Sequence, residues 1–351
     1  MHTTPPQGRR ELAGVQVLRA VAALGVLLSH LPWYLESQLG ITVAHVDTGQ
    51  PSVAVFFTIS GLVAVLISSR RPAPRPGDFL RRRLVRIVPL AWAFTTIQFV
   101  ADLIRADPGA TLRPMHVALS YLFIPSRGPD GVVEPLYLVC WTLSLELAFY
   151  ALVTAALARR LDPLVVAGPV LTVLALASLL RGDDWPAWAF YADDRVLFFV
   201  VGMIVGRWWT RRDLLVPFVA MTLLWSIWGL IVLASGATTA QLLLLPASTL
   251  VLVAVLSAED RLLSRTPRWL VTLGHASYAL YLSHPVVAPL TLAGLAACGA
   301  SRHGDSWWWG TAAVAVCLGA SVLIWHGVDR PLTVRLARAT RPRPRGDAPS
   351  H

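Results

Sequence analysis

Read as hydrophobic and polar positions, the chain alternates long apolar runs with short polar connections rich in arginine. Ten runs approach the length of about 20 residues that a helix needs to cross a bilayer. They cover roughly 12–34, 51–69, 84–104, 136–158, 163–181, 195–208, 214–234, 241–257, 271–296 and 308–327, the sixth being short. Arginine gathers on the cytoplasmic side of short loops, so the connections set the orientation. Arg70, Arg71, Arg75, Arg81, Arg82, Arg83 and Arg86 follow the second run, and Arg159 and Arg160 the fourth. Arg207, Arg211 and Arg212 follow the sixth, Arg261, Arg265 and Arg268 the eighth, and Arg330, Arg335, Arg338, Arg341, Arg343 and Arg345 the tenth. The odd-numbered exits hold most loop carboxylates, including Asp47, Asp107, Asp130, Asp183, Asp184 and Asp305. The pattern predicts an all-α integral membrane protein, a bundle of about ten transmembrane helices with both termini cytoplasmic. Residues 1–11 form a cytoplasmic segment, 12–333 a polytopic membrane domain and 334–351 a disordered basic tail, too rich in Pro and Arg to bury anything. The first run follows Arg9 and Arg10 but has no small-residue cleavage site, so it reads as an uncleaved span.

Composition agrees. The 351 residues are 55% hydrophobic and 14% charged, with a mean hydropathy of +0.59, too apolar for one soluble core. The net charge is +10, and all 30 basic residues are arginine, placed at the ends of spans where a nucleic-acid-binding arm would not have them. Nucleic acid is therefore excluded as a partner, and the lipid bilayer is the expected one. Cys140, Cys298 and Cys317 lie in apolar stretches without metal-ligand spacing and read as small packing residues, so no metal site is expected. Trp185, Trp188, Trp208, Trp209 and Trp307 to Trp309 sit at span ends as an aromatic belt. No internal repeat suggests an inverted-repeat transporter.

Few ionisable residues remain at membrane depth. In the first span, Arg19 and His30 are eleven positions apart, which at about 100° per residue places them on one face, about 16 Å apart along the axis. Charge in hydrocarbon marks a site or a water-filled cavity. Two readings compete: one polar track through the membrane, or Arg19 snorkelling to the headgroups and His30 at the outer interface. Glu146, in the fourth span with Trp141, Ser144 and Tyr150, falls near mid-membrane and needs a partner or a proton. In the ninth span Ser277, Tyr281 and His284 share a face. His326 and Asp329 end the tenth span, where an interfacial pairing with Arg330 is expected. Seven arginines within seventeen residues, from Arg70 to Arg86, exceed what orientation requires and suit a polyanion on the cytoplasmic face.

The motifs LRAVAALGVLLSH, SVAVFFTISGLV, FLRRRLVRIVPLAW, WTLSLELAFY, RVLFFVVGMIVG, SYALYLSH and VDRPL succeed one another from about residue 12 to 333. In that order they resemble the membrane-bound acyltransferase-3 family, whose members O-acylate sugars, polysaccharides and antibiotics from acyl-CoA. The resemblance implies that Arg19 and His30 are the essential first-helix pair, that Arg83 and Arg86 form the cytoplasmic Arg-x-x-Arg, and that Glu146 is the acidic residue of the Trp-Ser-x-x-x-Glu stretch. The chain departs from the family at Thr142, Leu147 and Asp329, and the C-terminal esterase-like domain of some relatives is not expected here.

These readings combine into one expectation. Acyl-CoA, most often acetyl-CoA in the family, docks its phosphates on Arg82, Arg83 and Arg86 as a substrate, with no permanently bound cofactor. His30 acts as base at the acceptor hydroxyl, helped by Arg19 and Glu146, with Ser144, Trp141, Tyr281 and His284 supporting, some as donors to the oxyanion. The acceptor is a hydroxylated glycan or natural product, and the location a plasma membrane, multi-pass. Arg, His and Glu within a membrane also suit a secondary transporter or flippase, the alternative function.

Overall fold

The computed structural model describes residues 12–70, 72–104, 113–128, 130–182, 184–211, 215–236, 238–299 and 306–340. The segments 1–11 and 341–351, with Arg71, Asp107, Asp183, Arg212 and Asp305, lie outside the described residues, as does the Trp307 side chain. Among the described residues every regular element is helical, apart from an isolated bridge between Arg127 and Val133. The helices are α1 (Ala13–Leu39), α2 (Gly49–Ser68), α3 (Pro76–Ile104), a short α4 (Pro114–Tyr121), α5 (Trp141–Ala158), α6 (Pro163–Ala177) and α7 (Leu197–Arg211). They continue with α8 (Leu215–Ala234), α9 (Thr239–Ser257), the small α10 (Glu259–Arg265), α11 (Arg268–Ala297), α12 (Ser306–Ile324), a π-helical turn (Trp325–Asp329) and α13 (Arg330–Ala339).

Nine helices among the described residues are long and apolar enough to cross a membrane, one fewer than the ten runs predict. The missing one is α7. Its 15 residues span only about 22 Å, and Leu197 through Gly206 are all buried, so it is a short inner helix sheathed by its neighbours. Where α2 crosses α7, Gly61 and Gly202 let the two backbones touch, since a Cβ on Gly202 would collide with the Thr58 carbonyl oxygen and one on Gly61 with that of Phe199. Small residues are how helices approach closely in lipid, where packing replaces the hydrophobic effect. Beside this crossing, Phe57, Phe199 and Phe149 stack at centroid spacings of 4.3 and 4.4 Å. Because the obstacle is backbone, Gly202→Ala is expected to cost about 1–3 kcal/mol and to lower the thermal midpoint in detergent. Gly77→Ala, with open space around it, should shift that midpoint little.

The bundle centres on α1, which packs most extensively on α11 and also on α2. Its first turn is tied to α10, where the Gly14 amide donates to the Glu259 carboxylate at 3.1 Å, a negative group at a helix N-terminus. Its last turn ends on Gly40 at φ 64°, the left-handed cap of a terminating helix. Two departures concern the C-terminal part. Residues 334–339, assigned to the disordered tail, are helical, because Arg81 of α3 donates to the Ala337 carbonyl and the Thr340 hydroxyl and gives this helix tertiary anchorage. Among the cysteines, Cys140 and Cys317 are buried as expected, whereas Cys298, just beyond α11, is exposed.

Candidate active site

Helices α1, α2, α3, α5 and α11 enclose a cavity of about 710 Å³. Along α2 its wall runs from Val53 to Ile67, about 21 Å at 1.5 Å per residue, with Arg70 just past the helix end, so the cavity reaches from the arginine-rich end of the bundle deep into the membrane span. That wall is mostly apolar. The opposite walls supply Arg19, Arg83, Arg86 and Glu146.

The polar groups are ordered by a few bonds. Ser60 and Tyr150 both donate to one Glu146 carboxylate oxygen, at 2.6 and 2.7 Å. The Arg83 guanidinium stands 5.1 Å above the Tyr150 ring and 5.5 Å from that of Phe79, held by cation–π contact. One of its Nη atoms is buried without a hydrogen-bond partner. Arg19 donates from Nε to Ser277 at 3.3 Å, and its charge interacts with Arg86, Glu146 and Arg83. Tyr278 ties α11 to α3 through the Ile87 carbonyl at 2.6 Å. The chamber therefore sets four arginines against one carboxylate that two hydroxyls already engage. Such an excess of cations around one cavity favours an anion.

Asp329, which the sequence does not single out for this role, joins them. Expected to pair with Arg330 at the interface, it is half-buried where the charges of Arg86 and Arg19 act on it, while Arg330 covers the ring of Trp325 at 5.6 Å. The cause is the π turn at the foot of α12, whose extra residue rotates α13 relative to α12.

His30 occupies a second compartment. Its Nδ1 lies 2.8 Å from the Val26 carbonyl, which places the proton there and leaves Nε2 as an acceptor. Its ring centre is 5.2 Å from that of His284. His284 is fully buried, with Nδ1 3.3 Å from the Leu280 carbonyl and Nε2 without a partner. Arg19 and His30 thus both turn toward α11, as their spacing requires, but His30 does not line the cavity. Gly25 packs on Ser52, so His30 lies five residues, about 8 Å, beyond the level of Val53 where the cavity wall begins. Phe56 and Tyr281 form the partition on the side of the cavity that faces the histidines, edge to face at 5.9 Å, with Val53 a turn further out on α2. Each lines the cavity on one side. On the other, Tyr281 is 6.2 Å from the His284 ring and Phe56 packs on the cluster of Leu27, Tyr34 and Leu280.

The remaining candidates separate by helix face. Glu146 lines the cavity together with Thr142 and Tyr150, while Ser144 is buried elsewhere on α5 and Trp141 lies under the Arg195 guanidinium at 5.1 Å. Tyr281 donates to the Val139 carbonyl at 2.8 Å and meets the Thr142 hydroxyl at 2.8 Å, so its proton is committed. Arg82 is exposed and outside the cavity wall, and Arg70 takes the third place beside Arg83 and Arg86. Ser60 and Phe56 are site residues that the pattern of the sequence does not single out, while Arg70, one of the seven clustered arginines, and Asp329, at the end of the tenth run, are brought to the site only by the fold.

A family model described as an acyltransferase domain matches residues 12–326. The exopolysaccharide production protein ExoZ of Rhizobium meliloti (strain 1021) is 32% identical over 259 residues, which cover 72% of this chain and 81% of that protein. No solved structure matches the chain.

Proposed function

Given that the chain belongs to the acyltransferase 3 family, we propose that it transfers an acyl group, most simply acetyl, from acyl-CoA to a hydroxyl of a polysaccharide or related glycan. The observation that carries this reading is the chamber itself, with Arg19, Arg70, Arg83 and Arg86 around a deep apolar slot. Coenzyme A is a polyphosphate on a long, thin arm. Its phosphates suit Arg70, Arg83 and Arg86 at the arginine-rich end, and its arm suits the slot along α2. Arg19 and Glu146 balance charge midway, with Asp329 behind Arg86.

His30 is the base. Its free Nε2 takes the proton of the acceptor hydroxyl as the oxygen attacks the thioester carbon. The carbon–oxygen bond forms, the carbon–sulfur bond breaks with its electron pair going to sulfur, and His30 returns the proton to give the thiol. The unpartnered Nε2 of His284 stabilises the positive ring that forms in between. Glu146 acts on the arginines and not on His30, in keeping with its bonds to Ser60 and Tyr150.

The alternation of basic loops supports ten crossings with α7 included and both termini in the cytoplasm, and this reading takes the membrane to be the plasma membrane. The thioester then enters from the cytoplasm, and the acceptor reaches His30 from the outer side. The ExoZ name supports a polysaccharide as acceptor. Protein in nanodiscs, given acetyl-CoA labelled in the acetyl carbon and a panel of glycans, is expected to move label onto a glycan with one free thiol released per acetyl transferred. A thioester left intact throughout, with substrate carried across a sealed membrane, overturns this reading in favour of a transporter.

A further inference from the structure

We propose that Phe56, braced by Tyr281, sets the length of the acyl group that this protein accepts and restricts it to short chains. The inference rests on the acyl-transfer reading and adds to it the residue that selects the donor. For an acyl carbon to meet His30 while the nucleotide stays at the arginines, the thioester has to lie at the partition formed by Phe56 and Tyr281. The acyl tail then projects toward the histidines. That side is filled: Leu27 is 0% exposed, Leu280 and Tyr34 are each 3% exposed, and all three belong to the cluster against which Phe56 packs.

The two rings of the partition are not equivalent. Tyr281 is pinned by Val139 and Thr142 through its hydroxyl. Phe56 has no polar anchor and is only half-buried, so it is the ring whose size decides the free space. A two-carbon acyl group needs little of that space. Each added methylene has to be fitted against packed side chains, and one methylene in a fitted pocket is worth roughly 10- to 200-fold in rate. The bond changes are the same for every chain length, so selection acts on fit alone.

Initial rates with acetyl-, butyryl- and octanoyl-CoA, each labelled in the acyl carbon, test this with the full chain in nanodiscs and the same glycan panel. The wild-type protein is expected to prefer acetyl over octanoyl by at least about a hundredfold. Phe56→Ala should reduce that ratio by about tenfold or more, with Phe56→Leu between the two, and Phe56→Trp should raise the preference for acetyl over butyryl. Unchanged ratios in the folded variants, or a wild-type protein that uses octanoyl-CoA as well as acetyl-CoA, overturn the inference and leave acyl transfer standing. Failure of the wild-type protein to transfer from any of the three thioesters removes the acyl-transfer reading and this inference with it.

Discussion

His30→Ala should lower the turnover of acyl transfer by about 10²- to 10⁴-fold, the usual contribution of a positioned base, while the KM for acyl-CoA stays within about twofold. The split between the two constants is the informative part. His30 lies outside the arginine-lined cavity, about 8 Å past its limit on α2, so its loss removes an interaction made with the reacting atoms and not one that holds the nucleotide. The ring donates to the Val26 carbonyl of its own helix, and that carbonyl belongs to the intrahelical ladder, so the bundle should tolerate the substitution. Retained elution volume and thermal midpoint in detergent would verify this. His30→Gln keeps a donor for Val26 but offers no comparably basic nitrogen, and should be as slow as alanine. Transfer within tenfold of wild type by folded His30→Ala protein would take the imidazole out of the chemistry and move the base elsewhere, His284 being the next imidazole at 5.2 Å.

The contrast between the two compartments explains which residues are legible in the sequence and which are not. Arg19, Glu146 and His30 are legible because ionisable groups are rare in apolar runs and costly in hydrocarbon, and the structure places the first two in the lining of one cavity. Helical spacing also fixes that Arg83 and Arg86 lie on one stripe. It does not fix which edge of the stripe faces inward, and so Arg82 falls outside the chamber, while Arg70, just past the end of α2, lines it. Asp329 is hidden by a π turn, which has no sequence period of its own. Phe56 is hidden differently. It is one apolar residue among many on α2, and only its position across from Tyr281 distinguishes it from a lipid-facing side chain. The same limit applies to α7, whose apolar run does not reveal that it is sheathed by protein and not by lipid.

A double substitution, Arg83→Ala with Arg86→Ala, is expected to raise the KM for acyl-CoA by about a hundredfold and to change turnover at saturation by only a few fold. A charge-assisted hydrogen bond to an ionised group is worth about 1.5–3 kcal/mol, so two such contacts set a ceiling near 10⁴-fold. Incomplete additivity between neighbours brings the expectation well below that ceiling. Both side chains face the chamber, and Arg83 has a buried nitrogen with no partner inside the protein, as befits a group that waits for a ligand oxygen. Arg82→Ala supplies the comparison. It removes the same charge from the same turn of α3 but from the exposed side, so its KM should stay within about twofold of wild type. Equal effects from Arg82→Ala and from the double substitution would mean that the arginines act through overall charge or insertion orientation. A hundredfold separation between them would localise the nucleotide to the chamber, since only there does one face of α3 differ from the other.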